Sequence, residues 1–255
     1  MDIQVFKQEF KYRLGDAVLF GNDAVGKIMD PRSPFHDTIG YQYIKTTLRR
    51  NRFLDFKLLR RLVKVHTQRH QYPSPPPDVL VIHYRAGDWK RVDGDEIEEL
   101  YGHVKNASAS SGLTSICIVT AFHYEKKVKA HEADDLSEEN LKNLAKLTSR
   151  FEENGMTVSV KSSGRVDEDF CYLCHAHHLI PTKGGYSVLA GICNPNRVYE
   201  TFASTTAAIR HYSEAKPVSL GILEWMRLRY KVIAEKNPMR KNINPLSNLL
   251  SKFVP

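Results

Sequence analysis

From Asp78 onward, short apolar runs alternate with longer stretches whose apolar positions recur every three or four residues. Val79-Leu80-Val81-Ile82 is apolar and mostly β-branched, and Pro75, Pro76 and Pro77 punctuate it on the N-terminal side. It reads as a buried strand. A helix over 93–105 follows. Ser115 to Phe122 (SICIVTAF) is the next strand-like run. Ser137 is a good N-cap and opens a helix through Leu141, Leu144, Leu147 and Phe151, which Gly155 stops. Met156 to Val160 reads as a strand, 167–176 as a short helix and His177 to Pro181 as a strand. Gly184 and Gly185 turn into a helix from Tyr186 to Ile192, and Arg197 to Phe202 is a last strand. Ser219 to Glu235 predicts a long amphipathic helix. This alternation predicts an α/β fold, a parallel sheet covered by helices on both faces.

The pattern is harder to read before residue 75. Val18, Leu19 and Phe20, then Gly21-Asn22-Asp23, then Val25, Lys27 and Ile28 suggest two short strands around a turn. Residues 45–70 interleave Arg49, Arg50, Arg52, Lys57, Arg60, Arg61, Lys64 and Arg69 with apolar residues at helical spacing. They predict a basic amphipathic helix. Such a face suits nucleic acid, a membrane surface or an acidic glycan, against the plainer reading of a packed helix with a solvated cationic side. The prolines from Pro73 to Pro77 end it and mark a stiff candidate boundary.

Composition adds bounds. The 255 residues are 42% hydrophobic and 10% aromatic, enough for a core. A net charge of +8 suits an anionic ligand or partner such as a nucleotide sugar, an acidic glycan or nucleic acid. No apolar run is long enough to span a bilayer, and Met1-Asp2-Ile3-Gln4 does not open a signal peptide. The expectation is a soluble, cytoplasmic protein. Four cysteines make a disulfide framework improbable at this length. Cys171-x-x-Cys174-His175 has the spacing of a haem attachment, and His177 and His178 lie near enough in sequence to raise zinc. Small core cysteines are the favoured reading.

Candidate chemistry gathers at the end of the first clear strand, His83-Tyr84-Arg85-Ala86-Gly87-Asp88. The carboxyl ends of parallel strands are where α/β domains place ligand groups. Arg85 offers a planar fork for phosphate oxygens, and Gly87 allows a sharp turn or a close approach. His83 can hydrogen-bond a base or sugar, and Asp88 can orient the arginine or accept a proton. A second region, His178 to Ser187, combines a strand, a glycine turn and a helix start. Free N–H groups at such a start bind anions, with help from the helix dipole.

His83-x-Arg85-x-Gly87-Asp88 after a strand resembles the H-x-R-x-G-D signature of the GDP-fucose-dependent fucosyltransferases. The resemblance covers roughly residues 78–203. It implies a GT-B-like glycosyltransferase, with residues 1–75 a reduced N-terminal region on the acceptor side. Residues 76–255 are then a Rossmann-like domain for the nucleotide sugar, whose C-terminal helix crosses back. In the family, the second region cradles the diphosphate. Thr182, Lys183, Gly184, Gly185, Tyr186 and Ser187 stand at that position here, matching in character rather than identity. An acidic residue upstream contacts the base there; Asp169 lies at about that place, with Asp167 the alternative. Leu14-Gly15-Asp16 also resembles the L-G-N loop of fucosyltransferases and the L-G-D loop of heptosyltransferases, whose aspartate is the base; a surface hairpin aspartate is the other reading of Asp16. Asp93-Gly94-Asp95 has D-x-D spacing, but no divalent ion or cofactor is expected.

The implied reaction is inverting transfer of a sugar from a nucleotide diphosphate donor to a glycan hydroxyl. Arg85 would stabilise the leaving diphosphate, with Lys183 and the glycine turn beside it. A carboxylate such as Asp88, Asp93 or Asp16 would deprotonate the acceptor. GDP-fucose is the donor the resemblance implies, and UDP-xylose or another UDP-sugar remains open. No stable nucleic-acid complex is expected, although a nucleic-acid-binding module using residues 45–70 is the competing class.

Overall fold

The computed structural model of the protein describes residues 5–6, 14, 18, 35–49, 52–84, 86–87, 94–120, 122–123, 130–213 and 218–219. The chain divides into two compact units, one of Met1–Phe10 with Leu59–Ala215 and one of Lys11–Leu58 with Lys216–Pro255.

The first unit holds a parallel sheet of five strands: β3 (Val79–His83), β5 (Ser115–Val119), β7 (Thr157–Lys161), β8 (His178–Ile180) and β9 (Arg197–Val198). Their spatial order is β7-β5-β3-β8-β9. The chain starts in the middle, builds outward to β7, then returns past β3 and builds the other way. That reversal, between β3 and β8, is a topological switch point. The connecting helices are α3 (Gly94–Ser111), α4 (Ala130–Glu152), α5 (Val166–Cys174) and α6 (Gly185–Cys193). Right-handed crossovers put α3 and α4 on one face, and α5 and α6 on the other, because the two pairs travel in opposite directions across the sheet.

Side-chain burial follows that division. Leu80, Ile82 and Tyr84 alternate toward one face and meet Ile97, Leu100, Tyr101 and Val104 of α3, with Leu144, Leu147 and Phe151 of α4. A five-residue strand with three consecutive buried side chains, Leu80 to Ile82, is what a sheet covered on both faces requires. On the second face, the Tyr172 hydroxyl of α5 lies 3.7 Å from Cys117 Sγ of β5. A further helix, α7 (Ala203–Ser213), follows β9 and packs on α6. Short parallel bridges link β1 (Val5–Phe6), β6 (Phe122–His123) and β4 (Ala86–Gly87).

In the second unit, α1 (Ile39–Arg49) precedes β2 (Arg52–Phe53), which pairs antiparallel with β10 (Val218–Ser219). The helix α2 (Phe56–His70) crosses the division between the units.

Five expectations are corrected. The basic stretch 45–70 is not one helix: Leu54 has φ 54°, and the Asp55 carboxylate caps a new helix by accepting the Leu58 N–H at 3.0 Å. Apolar spacing continues across this break, which is why the pattern hid it. Ser137 is not an N-cap, because α4 begins at Ala130. The run 115–122 splits into β5 and β6, and the last strand stops at Val198 rather than Phe202. Val18 is helical and buried, not in a strand. The remaining hairpin residues and 220–235 of the expected C-terminal helix lie outside the described residues, and Ser219 is in β10.

Candidate functional site

The switch point brings the two sequence regions together. His83 ends β3, and its carbonyl accepts a hydrogen bond from the Thr182 hydroxyl at 2.6 Å. The His83 ring faces the Tyr186 ring with centroids 5.2 Å apart. Two loops distant in sequence are thus tied at the carboxyl ends of adjacent parallel strands, where a crevice opens in folds of this kind.

The turn after β8 is held by hydroxyl groups. Thr182 N–H donates to Ser187 Oγ at 2.7 Å, Thr205 Oγ1 donates to the Thr182 carbonyl at 3.2 Å, and Thr201 Oγ1 donates to the Pro181 carbonyl at 2.6 Å. Thr182 and Ser187 therefore shape the turn itself. Gly184 has φ 103° and ψ 154°, a conformation that essentially only glycine adopts. It is the N-cap of α6 and makes no side-chain capping bond. The N–H groups of Gly185, Tyr186 and Ser187 occupy the first turn of that helix, the part that lacks intrahelical acceptors. Close backbone, positive helix end and absent cap together suit an anion.

Tyr186 fixes the neighbouring helix. Its hydroxyl donates to the Val166 carbonyl at 2.6 Å, and its ring meets Phe170 at 5.3 Å. The first turns of α5 and α6 are thereby joined.

Lys183 turns away from the glycine bend. Its ammonium lies 2.7 Å from Glu96 Oε1 of α3 and 4.7 Å above the Phe202 ring. Asp169 is also engaged elsewhere. It sits over the end of β7, 3.8 Å from Lys161 Nζ, while Lys161 holds Glu168 at 2.8 Å. Two strand spacings, about 10 Å, separate β7 from β3. Burial pushes the Asp169 carboxyl up to about 6, against the hydrogen bonds from Ser163 and the Lys161 charge. Gly87 lies in β4 and pairs with His123. Arg85, Asp88 and Asp16 lie outside the described residues, as does Asp93.

Sequence reasoning missed Glu96, Tyr84 and Lys161. Tyr84 follows β3, is 4% exposed, and its hydroxyl has no hydrogen-bond partner among the described residues. Burial first, and the Glu96 charge second, push its pKa upward. A polar tip on the inward-facing side of a strand end was the available signal.

The four cysteines are free and buried. Cys171 and Cys174 are in α5, which ends before His175, so His178 shares no helix face with them. Among the described residues no group of three or more His, Cys, Asp or Glu side chains is arranged to hold a metal ion, and no helix is long and apolar enough to cross a membrane. No protein-family model, curated protein or solved structure matches the chain.

Proposed function

We propose that the protein is a glycosyltransferase that binds a nucleotide diphosphate sugar beyond the carboxyl ends of β3 and β8 and transfers the sugar, with inversion, to a glycan hydroxyl. The observation that carries this reading is the tie between His83 and Thr182. It supports convergence of the H-x-R-x-G-D stretch and the glycine turn on one ligand. The parallel sheet would be the donor half of a GT-B arrangement.

In this reading the diphosphate rests on the first turn of α6. As the acceptor hydroxyl attacks the anomeric carbon, negative charge grows on the departing phosphate. Fixed N–H dipoles at Gly185, Tyr186 and Ser187 stabilise that charge without reorganising. Arg85, two residues beyond His83, supplies the bidentate cation. Asp88, Asp93 or Asp16 takes the acceptor proton. GDP-fucose is the first donor to test, followed by UDP-xylose.

A ligand that binds only the folded protein raises its melting temperature. A thermal-shift series with GDP, UDP and CMP sugars should therefore show a rise for one base. Arg85→Ala should then lower the transfer rate by about two to three orders of magnitude, the scale for one such donor. A folded variant with an unchanged rate would remove Arg85 from the mechanism. No shift with any nucleotide would remove the site.

A further inference from the structure

The two sides of α2 do different work. Leu59, Val63 and His66 are buried on one side. There the Val63 carbonyl accepts from Cys171 Sγ of α5 at 3.8 Å, and Arg60 holds the C-terminal end of α6. Lys57, Arg61, Lys64 and Gln68 are exposed. At 100° per residue they fall within a sector of about 60°, opposite the buried side, and follow one another over about 16 Å of helix. None of the four has a hydrogen-bond or ionic partner among the described residues, and residues 56–77 contain no Asp or Glu to compensate them. The row also has a direction. Arg60 meets the last turn of α6, and Val63 meets Cys171, one turn before the end of α5. Just past α2, burial first and the Asp167 charge second push the Tyr72 hydroxyl upward, and Asp167 is in the first turn of α5. So α2 runs antiparallel to α5, and its row leads toward the end of the sheet where α5 and α6 begin.

We propose that the exposed row of α2 docks an acidic glycan chain, bearing carboxylates or sulfates along its length, and that this chain is the acceptor. Its role as acceptor rests on the transferase reading above. Charge along one side of a thin chain matches a single straight row of cations, and Gln68 continues the row with a group that can pair with sugar hydroxyls. A duplex engages more phosphates than the row could meet. A single strand would seek aromatic platforms, and the row has none. A membrane surface would call for large apolar side chains beside the cations, and Val65, at the margin, is the one that stands exposed on α2. The acceptor must be a chain rather than a single sugar. The nine residues of α6 put about 13 Å between the Arg60 contact and the diphosphate turn.

The test is calorimetric titration of the full chain with oligogalacturonate, a sulfated galactan oligosaccharide, a neutral glucan oligosaccharide of equal length, and GDP. The unaltered protein should bind at least one acidic chain, more weakly as salt rises, and ignore the glucan. The Lys57→Gln/Arg61→Gln/Lys64→Gln variant should lose about tenfold in that affinity, the middle of the span for three exposed ion pairs, and keep its affinity for GDP. Unchanged binding of the acidic chain by the folded variant overturns the proposal. So does failure of the unaltered protein to bind either acidic chain, or binding that is indifferent to salt, and neither of these needs a variant to fold. Tighter binding of an oligonucleotide or of phosphatidylserine vesicles, lost in the same variant, gives the row to that partner and also overturns the proposal. These failures leave GDP binding by the unaltered protein intact. If the acidic chain binds through the row but no nucleoside diphosphate binds, the docking surface stands and its role as acceptor site falls with the transferase reading.

Discussion

Asp169 shows how far one carboxylate can be held from its preferred state. Its side chain is 10% exposed, and Oδ1 is buried with no hydrogen-bond partner among the described residues. Lys161 divides its attraction, lying at 2.8 Å from Glu168 and 3.8 Å from Asp169. Its ammonium also sits 5.2 Å from the centre of the Tyr172 ring. Burial therefore outweighs the nearby positive charge, and the carboxyl titrates at about 6. The sign of the linkage is the reverse of the usual aspartate. The folded chain binds more protons than the unfolded chain between about pH 4 and 6, so stability falls as pH rises through that window. A shift of this size corresponds to about 2–3 kcal/mol, fully present as a penalty above pH 7 and absent below pH 4. Urea denaturation across about pH 4 to 7 should show this slope in the unaltered protein and a flatter one in Asp169→Asn. Identical slopes would mean that the carboxylate is better solvated than its burial implies. A group kept at such cost near the first turn of α5 is a candidate for binding chemistry.

At the scale of elements, α6 is the piece on which both fold and site depend. Its N-terminal turn faces the switch point, and its C-terminal end is held by Arg60, which donates to the Ile192 carbonyl at 2.7 and 3.1 Å. Between them, Gly191 lets α7 approach closely. A Cβ there would meet Ile209 Cδ1 at 2.5 Å and Val198 Cγ1 at 3.7 Å. Alanine asks only the tip of Ile209 to move. Gly191→Val adds two further methyl groups against the same neighbours and should cost about 1–3 kcal/mol in urea denaturation. Ile209→Ala in the same chain should recover part of that loss, because the clash and the relief share one contact. The strands and the short helices of this half were legible because Leu80, Ile82, Ile116 and Ile180 mark a sheet core directly. The α7 helix was not, since Thr205 and Thr206 are weak helix formers and the segment is held by packing on α6. The glycine turn and strand tip were legible as local chemistry. Which neighbour each long side chain chose was not. Lys183 reached Glu96, on a segment far apart in the chain, and Asp169 reached Lys161 across the turn between β7 and α5. Spacing says nothing about those.

For the whole molecule, the question is which anion its charge serves. The net charge is +8, and residues 56–77 contain cations and no Asp or Glu. Its residues up to 70 belong to the 45–70 stretch on which the nucleic-acid alternative rests. The structure divides its cations by use. Arg60 is spent on the end of α6, whereas Lys57, Arg61, Lys64 and Arg69 stand exposed on α2. Four exposed cations on one helix still fall short of the six or more phosphates that a polyanion usually engages. A nucleoside diphosphate carries its charge at one place and needs only the local cradle at α6. The two readings therefore separate on salt. Affinity for GDP should fall with salt at a logarithmic slope between about −1 and −2, while a protein neutralising six phosphates of a duplex would show about −5 or steeper. Titrating both ligands across a tenfold range of salt decides between them. Tight oligonucleotide binding with the steep slope, and no measurable GDP affinity, would move the function from the switch point to the surface of α2.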